Sequence, residues 1–213
     1  DSAGNRFLSF SGGTVGRLSG ETFIGPSITN APKDVTVLAG SNVVFSVGAT
    51  GTAPLRYFWI FNGATVGTNA TLNLNNVSTA QAGSYVVIVS NMVNSVTSTP
   101  AMLQVKRVAI FSGNQMLTNG TYVFATPPTL SVRSTFASGS SFYTLDGSAP
   151  SFSSTPYTAP FVLSQSGTVR ALGYSSDFLQ SEEADAVNAI VLPQHTLTAS
   201  SPERPGMRIS SST

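Results

Sequence analysis

Four short stretches of this 213-residue chain place an apolar side chain at every second position, and they gather around its single tryptophan. Val43, Phe45, Val47 and Ala49 form one set, and Tyr57, Trp59 and Phe61 the next. Leu72 and Leu74 alternate with polar residues, and Tyr85, Val87 and Val89 complete the pattern. Side chains of a strand point alternately to opposite faces, so each set lines one face only. A face of this kind is stable when a second sheet covers it. Asn62-Gly63 is the strongest hairpin signal, because both residues accept positive φ cheaply. No segment in this half holds a helical period. Residues 27–105 therefore read as two sheets packed face to face.

Length suits one large or two ordinary domains, each able to bury a core. Only 9% of residues are charged, while Ser and Thr make up about a quarter of the chain. With 19 Gly, 12 Pro and 41% hydrophobic residues, the composition fits many short strands joined by tight turns. A net charge of +1 offers no field to attract nucleic acid, and no basic cluster exceeds the pair Lys106-Arg107. No apolar run approaches the roughly eighteen residues that cross a membrane, and no charged-then-apolar leader is seen. The absence of cysteine does not imply the cytosol, since disulfides outside the cell are permitted rather than required. The Ser/Thr-rich, Lys-poor composition points to an extracellular or cell-surface protein.

Four segments are expected. Residues 1–26 form an extended N-terminal segment with apolar stretches at Phe7-Leu8-Ser9-Phe10 and Thr22-Phe23-Ile24, punctuated by Gly25-Pro26. Residues 27–105 hold the first sandwich, and residues 106–194 a second strand-rich block. Residues 195–213 form a polar tail, in which His195-Thr-Leu-Thr reads as the opening strand of a further repeat before Pro202-Glu-Arg-Pro-Gly. On that reading the natural protein continues past the tail. The second block carries Phe142-Tyr-Thr-Leu-Asp146-Gly-Ser-Ala-Pro150, then Tyr157-Thr-Ala-Pro160 and Gly167-Thr-Val-Arg-Ala-Leu-Gly173. Asp146-Gly147 suits a tight turn, the carboxylate capping backbone N–H groups and the glycine taking the left-handed conformation. Val108-Ala-Ile-Phe111 and Tyr122-Val-Phe124 start this block or bridge to it.

Pro32-Lys-Asp-Val-Thr-Val37, Gly40-Ser-Asn-Val-Val-Phe-Ser-Val47, Phe58-Trp59-Ile-Phe-Asn-Gly63 and Ala82-Gly83-Ser-Tyr85-Val-Val-Ile-Val-Ser-Asn91 resemble the cysteine-free, I-set-like immunoglobulin domains of bacterial secreted proteins. The resemblance implies that Trp59 is the buried core tryptophan and Tyr85 the tyrosine corner. It also implies that Val47 and Val87 stand where such domains usually place a disulfide, and that Gln81 replaces the Asp of the corner turn. Losing a disulfide costs a small domain about 2–5 kcal/mol, and burial of two valines returns about half of that. The motifs of the second block resemble the chitobiase/beta-hexosaminidase C-terminal module, a fibronectin-like sandwich. The expected architecture is thus all-β: two tandem β-sandwiches with extended polar ends, joined by a short link at Gln104-Val105-Lys106-Arg107.

Reactive groups are scarce. One histidine and no cysteine remove thiol nucleophiles, thiolate sites and histidine-cluster zinc sites. A hydrolase would need His195, in the tail, and no Gly-x-Ser-x-Gly presents a serine. No catalytic or cofactor-binding residue is therefore assigned. Glu182, Glu183 and Asp185 read as a solvated turn before the last strand; with Asp177 they are the candidates for a Ca²⁺ site, since hard cations take clustered carboxylates. Asp146 reads as a turn residue rather than an acid. Tyr143, Tyr157 and Tyr174 are the candidate ligand-facing rings, with Phe178 nearby; Phe142 and Tyr143 lie on opposite faces of one strand, so one of them points outward. Val47, Trp59, Tyr85, Val87, Asp146 and Gly147 are assigned structural roles.

The favoured function is a non-catalytic structural or interaction module of a bacterial cell-surface or filament protein. Its expected partners are proteins or polysaccharides at the cell surface. Phe7–Phe10 and Leu197 are candidates for self-association by strand addition. The alternatives are an accessory carbohydrate-binding unit of a larger polysaccharide-active enzyme, and a hydrolase with an unfamiliar site.

Overall fold

The computed structural model describes residues 22–193 together with the strands Phe7–Ser9 and Val15–Arg17, which pair with each other antiparallel. His195 and Leu197 lie outside the described residues. The protein is all-β, with two tandem β-sandwiches. Among the described residues the one helical turn is the 3-10 turn Thr79–Gln81.

In the first sandwich one sheet runs Val35–Leu38, Ala101–Lys106, Gly83–Ser90, Arg56–Phe61, Ala64–Gly67, with Ser95–Thr97 also on Gly83–Ser90. Val43–Ser46 pairs with Thr71–Leu74, and Ser27–Asn30 with Gly48–Thr50. Alternation decides which side chains go inside. Val43, Phe45, Val47, Trp59, Leu72, Tyr85, Val87 and Val89 all belong to one buried core. Val87 sits opposite Trp59, and Tyr85 opposite Phe61, whose rings stack with centroids 4.5 Å apart. Asn62 and Gly63 both take positive φ, 48° and 78°, as a tight hairpin between right-twisted strands requires.

Two local devices support this core. The fully buried Trp59 ring donates from Nε1 to the Asn69 carbonyl at 2.9 Å, so its one polar atom is satisfied. The Tyr85 hydroxyl donates to the Gln81 carbonyl at 2.8 Å. The Gln81 side chain in turn accepts the Ser78 amide at 3.0 Å. An amide oxygen thus caps the corner turn where an Asp carboxylate is usual.

The second sandwich opens one residue later, since Lys106 ends one strand and Val108 begins the next. Val108–Ser112 does not bridge to the module; it is a central strand of one of its sheets, which runs Gln115–Leu117, Val108–Ser112, Thr129–Ser134, Phe161–Val162. The other sheet runs Gly120–Phe124, Val187–Val191, Gly167–Tyr174, Ser140–Thr144, Thr155–Pro156, with Ser181–Glu183 on Gly167–Tyr174. Val108, Ile110, Leu117, Leu130, Val169 and Val187 form its core. Both sandwiches close the same way, with an early strand parallel to the last: Val35–Leu38 on Ala101–Lys106, and Gly120–Phe124 on Val187–Val191.

Candidate functional site

The acidic residues near the end of the second sandwich do not form a cation cage. Ser181–Glu183 is a strand, not a solvated turn, and pairing sends neighbouring side chains to opposite faces. Glu183 meets Arg170 on the adjacent strand, with contacts of 2.6 and 3.0 Å. Glu182 accepts the Arg107 backbone amide at 2.7 Å. Asp185 holds the Lys106 ammonium at 2.7 Å, with both side chains largely shielded from solvent. Asp177 accepts the Ser175 hydroxyl at 2.5 Å and the Leu179 amide at 3.1 Å. These bonds hold its carboxyl below the usual carboxylate range, the Ser175 hydroxyl contributing most. Among the described residues, no three His, Cys, Asp or Glu come together as a metal would require.

Glu182 and Asp185 instead clasp the joint. Arg107 reaches both sides of it: its guanidinium donates to the Gln180 side chain and to the Thr79 hydroxyl, and it lies 5.4 Å from the centre of the Phe136 ring. A cleft of about 500 Å³ remains here, walled by Asn76, Val77 and Thr79 of the first sandwich and Thr135, Phe136 and Gln180 of the second.

Asp146 is a turn residue in this structure. Its Oδ1 accepts the Ser148 amide at 2.9 Å and the Ser148 hydroxyl at 2.6 Å. The hydroxyl bond, then the amide bond, hold its carboxyl below the usual range. Gly147, at φ 81°, donates to the Thr168 carbonyl at 2.9 Å. A side chain there would meet both an unfavourable φ and the Thr168 Cβ at 3.2 Å.

The candidate rings divide by sheet face. Tyr143 stacks on Phe161 at 4.4 Å and meets Tyr157 edge-on at 6.5 Å, and all three pack against the core. Tyr143 falls on the inward side of its strand, and Tyr143 and Tyr157 are both half-buried there. Phe142, next along, takes the outward side. It joins Tyr174, Phe152 and Phe178 in one surface cluster: Phe152 stacks on Tyr174 at 4.2 Å, and Phe178 stands 5.4 Å from Phe152. Phe152 and Phe178 are each 55% exposed, and Leu179 83%. Phe152 was missed in the sequence. Its one signal is a lone aromatic inside the run Ser151-Phe-Ser-Ser154.

Residues 25–91 match the family model described as "Immunoglobulin domain", and residues 117–184 match the one described as "Chitobiase/beta-hexosaminidase C-terminal domain". Among solved structures the chain is similar to titin domain M7, at 26% identity over 41% of this chain and 99% of that one, TM-score 0.38. It is also similar to the sidekick-1 immunoglobulin domains 1–5, at 16% identity over 80% of this chain and 38% of that one, TM-score 0.41. Among the described residues no helix is long and apolar enough to cross a membrane.

Proposed function

We propose that this chain, an immunoglobulin-like domain followed by a chitobiase/beta-hexosaminidase C-terminal-like domain, serves as a non-catalytic, extracellular spacer and interaction module. The observation that carries this reading is the clasped joint. A single residue, Arg107, separates two strands, and the Lys106–Asp185 pair with the Arg107–Glu182 bond ties that residue to the second sandwich. Exposed ion pairs contribute about 0–1 kcal/mol each, but here two shielded contacts act on a linker with almost no slack of its own. Among the described residues the carboxylates are engaged: Glu182 and Asp185 in this clasp, Glu183 with Arg170, Asp34 with the Met102 amide, and Asp146 and Asp177 in turns. Such a chain transmits orientation and presents surfaces.

Spin labels placed one on each sandwich test the spacer. The intact protein should give a single narrow inter-label distance distribution, broadened by Arg107→Gly together with Asp185→Asn. A distribution already broad in the intact protein would remove the support. Antibody labelling of intact source cells tests the location, and a panel of esterase and glycosidase substrates, on which no turnover is expected, tests the absence of catalysis.

A further inference from the structure

The outer face of the second sandwich carries a feature that a spacer does not need. Phe142 and Tyr174 project from neighbouring strands, and the loop ring Phe152 lies almost parallel on Tyr174, the planes 18° apart. Phe178 then stands at 66° to Phe152, so the two most exposed rings meet as a corner rather than a flat shelf. Phe178 itself sits at φ 59°, a conformation that an aromatic residue seldom adopts.

The turn that imposes this φ is heavily braced. The Phe178 amide donates to the Ser175 carbonyl at 3.0 Å, and the Gln180 amide to the Ser175 hydroxyl at 3.0 Å. Asp177 holds the Leu179 amide from below. Water disfavours exposed aromatic rings, and bracing them there in a strained turn is a cost with no return in folding.

A hollow of about 410 Å³, lined by Tyr143, Thr144, Asp146, Ser148, Ser153 and Thr155, begins at the residue that follows Phe152 in the chain. The hollow is shallow and open to solvent, and hydroxyls dominate its wall. Arg170 on this sheet face is paired with Glu183, and the carboxylates beside the site, Asp146 and Asp177, are bonded to Ser148 and Ser175, so nothing in this arrangement calls for an anion. The complementary ligand is therefore neutral, with apolar C–H faces for the rings and many hydroxyls for the hollow. A second protein copy fits less well. Phe152, Phe178 and Leu179 together offer on the order of 400 Å² of exposed side chain, against about 800 Å² buried by each partner of a standard interface.

We propose that the Phe152–Phe178 corner and the adjoining hydroxyl-lined hollow bind a neutral polysaccharide, taken as a single bent chain rather than as a flat crystal face. The negative ring faces attract sugar C–H groups, and the angle between the rings follows a chain that turns. Gln180 belongs both to the turn that braces Phe178 and to the joint, but the rings can be substituted without changing Lys106, Arg107, Glu182 or Asp185, so the site can fail while the spacer reading stands.

Native electrophoresis in gels containing soluble mixed-linkage β-glucan, starch or galactomannan tests the proposal, alongside pull-down on crystalline cellulose and chitin. The intact chain should be slowed by at least one soluble polysaccharide and ignored by both crystalline ones. Phe152→Ser and Phe178→Gly should each weaken the retardation tenfold or more. Phe178→Gly suits the positive φ, so the second sandwich should keep its thermal transition while losing the ring. No slowing in any of the three gels, or slowing that both variants preserve, would overturn the site. Preferential retention on crystalline cellulose or chitin would overturn the bent-chain ligand. A concentration-dependent dimer abolished by the two variants would show a second copy to be the occupant instead.

Discussion

Ser98 and Val87 exchange a pair of hydrogen bonds across the first sandwich. The Val87 amide donates to the Ser98 hydroxyl at 3.0 Å, and the Ser98 amide donates to the Val87 carbonyl at 2.9 Å. The exchange falls where the strand Gly83–Ser90 changes partners, from Ala101–Lys106 along its first part to Ser95–Thr97 along its last. A strand that changes partners leaves one backbone amide facing no carbonyl. The buried Ser98 hydroxyl supplies the missing acceptor.

Ser98→Ala should therefore destabilise the first sandwich by about 1–3 kcal/mol, the cost of leaving one buried donor unpaired. Urea denaturation followed by Trp59 fluorescence measures it. Because Trp59 is the only tryptophan, the signal reports this sandwich alone.

Trp59→Ala should cost about 3–5 kcal/mol, from lost burial and the cavity left behind. Trp59→Phe should cost less but not nothing, since the Asn69 carbonyl loses its donor. Chemical denaturation followed by far-ultraviolet circular dichroism checks both. A silent Trp59→Ala would place the ring outside the core.

Trp59 also marks how much was legible beforehand. Alternation put Trp59, Phe45 and Tyr85 on apolar strand faces, and the resemblance to immunoglobulin domains marked Trp59 and Tyr85 as the core tryptophan and the corner tyrosine. The Asn62-Gly63 hairpin was legible locally as well. Phe142 and Tyr143 were a harder case. Alternation states that they point opposite ways, but which way is inward depends on the strand Gly167–Tyr174 and on Phe161 in the opposing sheet. Glu182 and Asp185 were harder still. Their partners Arg107 and Lys106 lie some seventy-five residues earlier, and only the one-residue joint brings them into reach. The Phe152–Phe178 corner joins two loops, which carry no periodic signal.

Val47, between the strands Val43–Ser46 and Gly48–Thr50, and Val87, in the strand Gly83–Ser90, lie in the same buried cluster. The double change Val47→Cys with Val87→Cys should form a disulfide under mild oxidation, read as a mass loss of two hydrogens. The cross-linked form should be more stable than its reduced form by about 2–4 kcal/mol. Oxidation that yields only free thiols or intermolecular dimers would mean that the two side chains do not face each other.

The two sandwiches should fail at opposite ends of the pH scale. In the second, Asp146 and Asp177 have folded pKa values below their unfolded ones because Ser148 and Ser175 donate to them. A depressed carboxyl stabilises the fold above its unfolded value, about 3.9. That stability fades as pH falls through the unfolded and then the folded value, when the proton displaces the hydroxyl bonds. In the first sandwich, burial raises the Tyr85 phenol above its ordinary value. The phenol keeps its proton in the fold after the unfolded chain would release it, so stability is intact below about pH 10 and declines as pH rises through the folded value. Thermal melts of the whole chain should show the second sandwich weakening below about pH 4, with Asp146→Asn and Asp177→Asn each flattening the slope. Near pH 11, Trp59 fluorescence should report the first sandwich loosening, and Tyr85→Phe should shift that loss upward in pH while lowering stability at neutrality by about 0.5–1.5 kcal/mol for its hydrogen bond to Gln81. Parallel acid and alkaline profiles in the variants and the intact chain would show that these three groups do not set the limits.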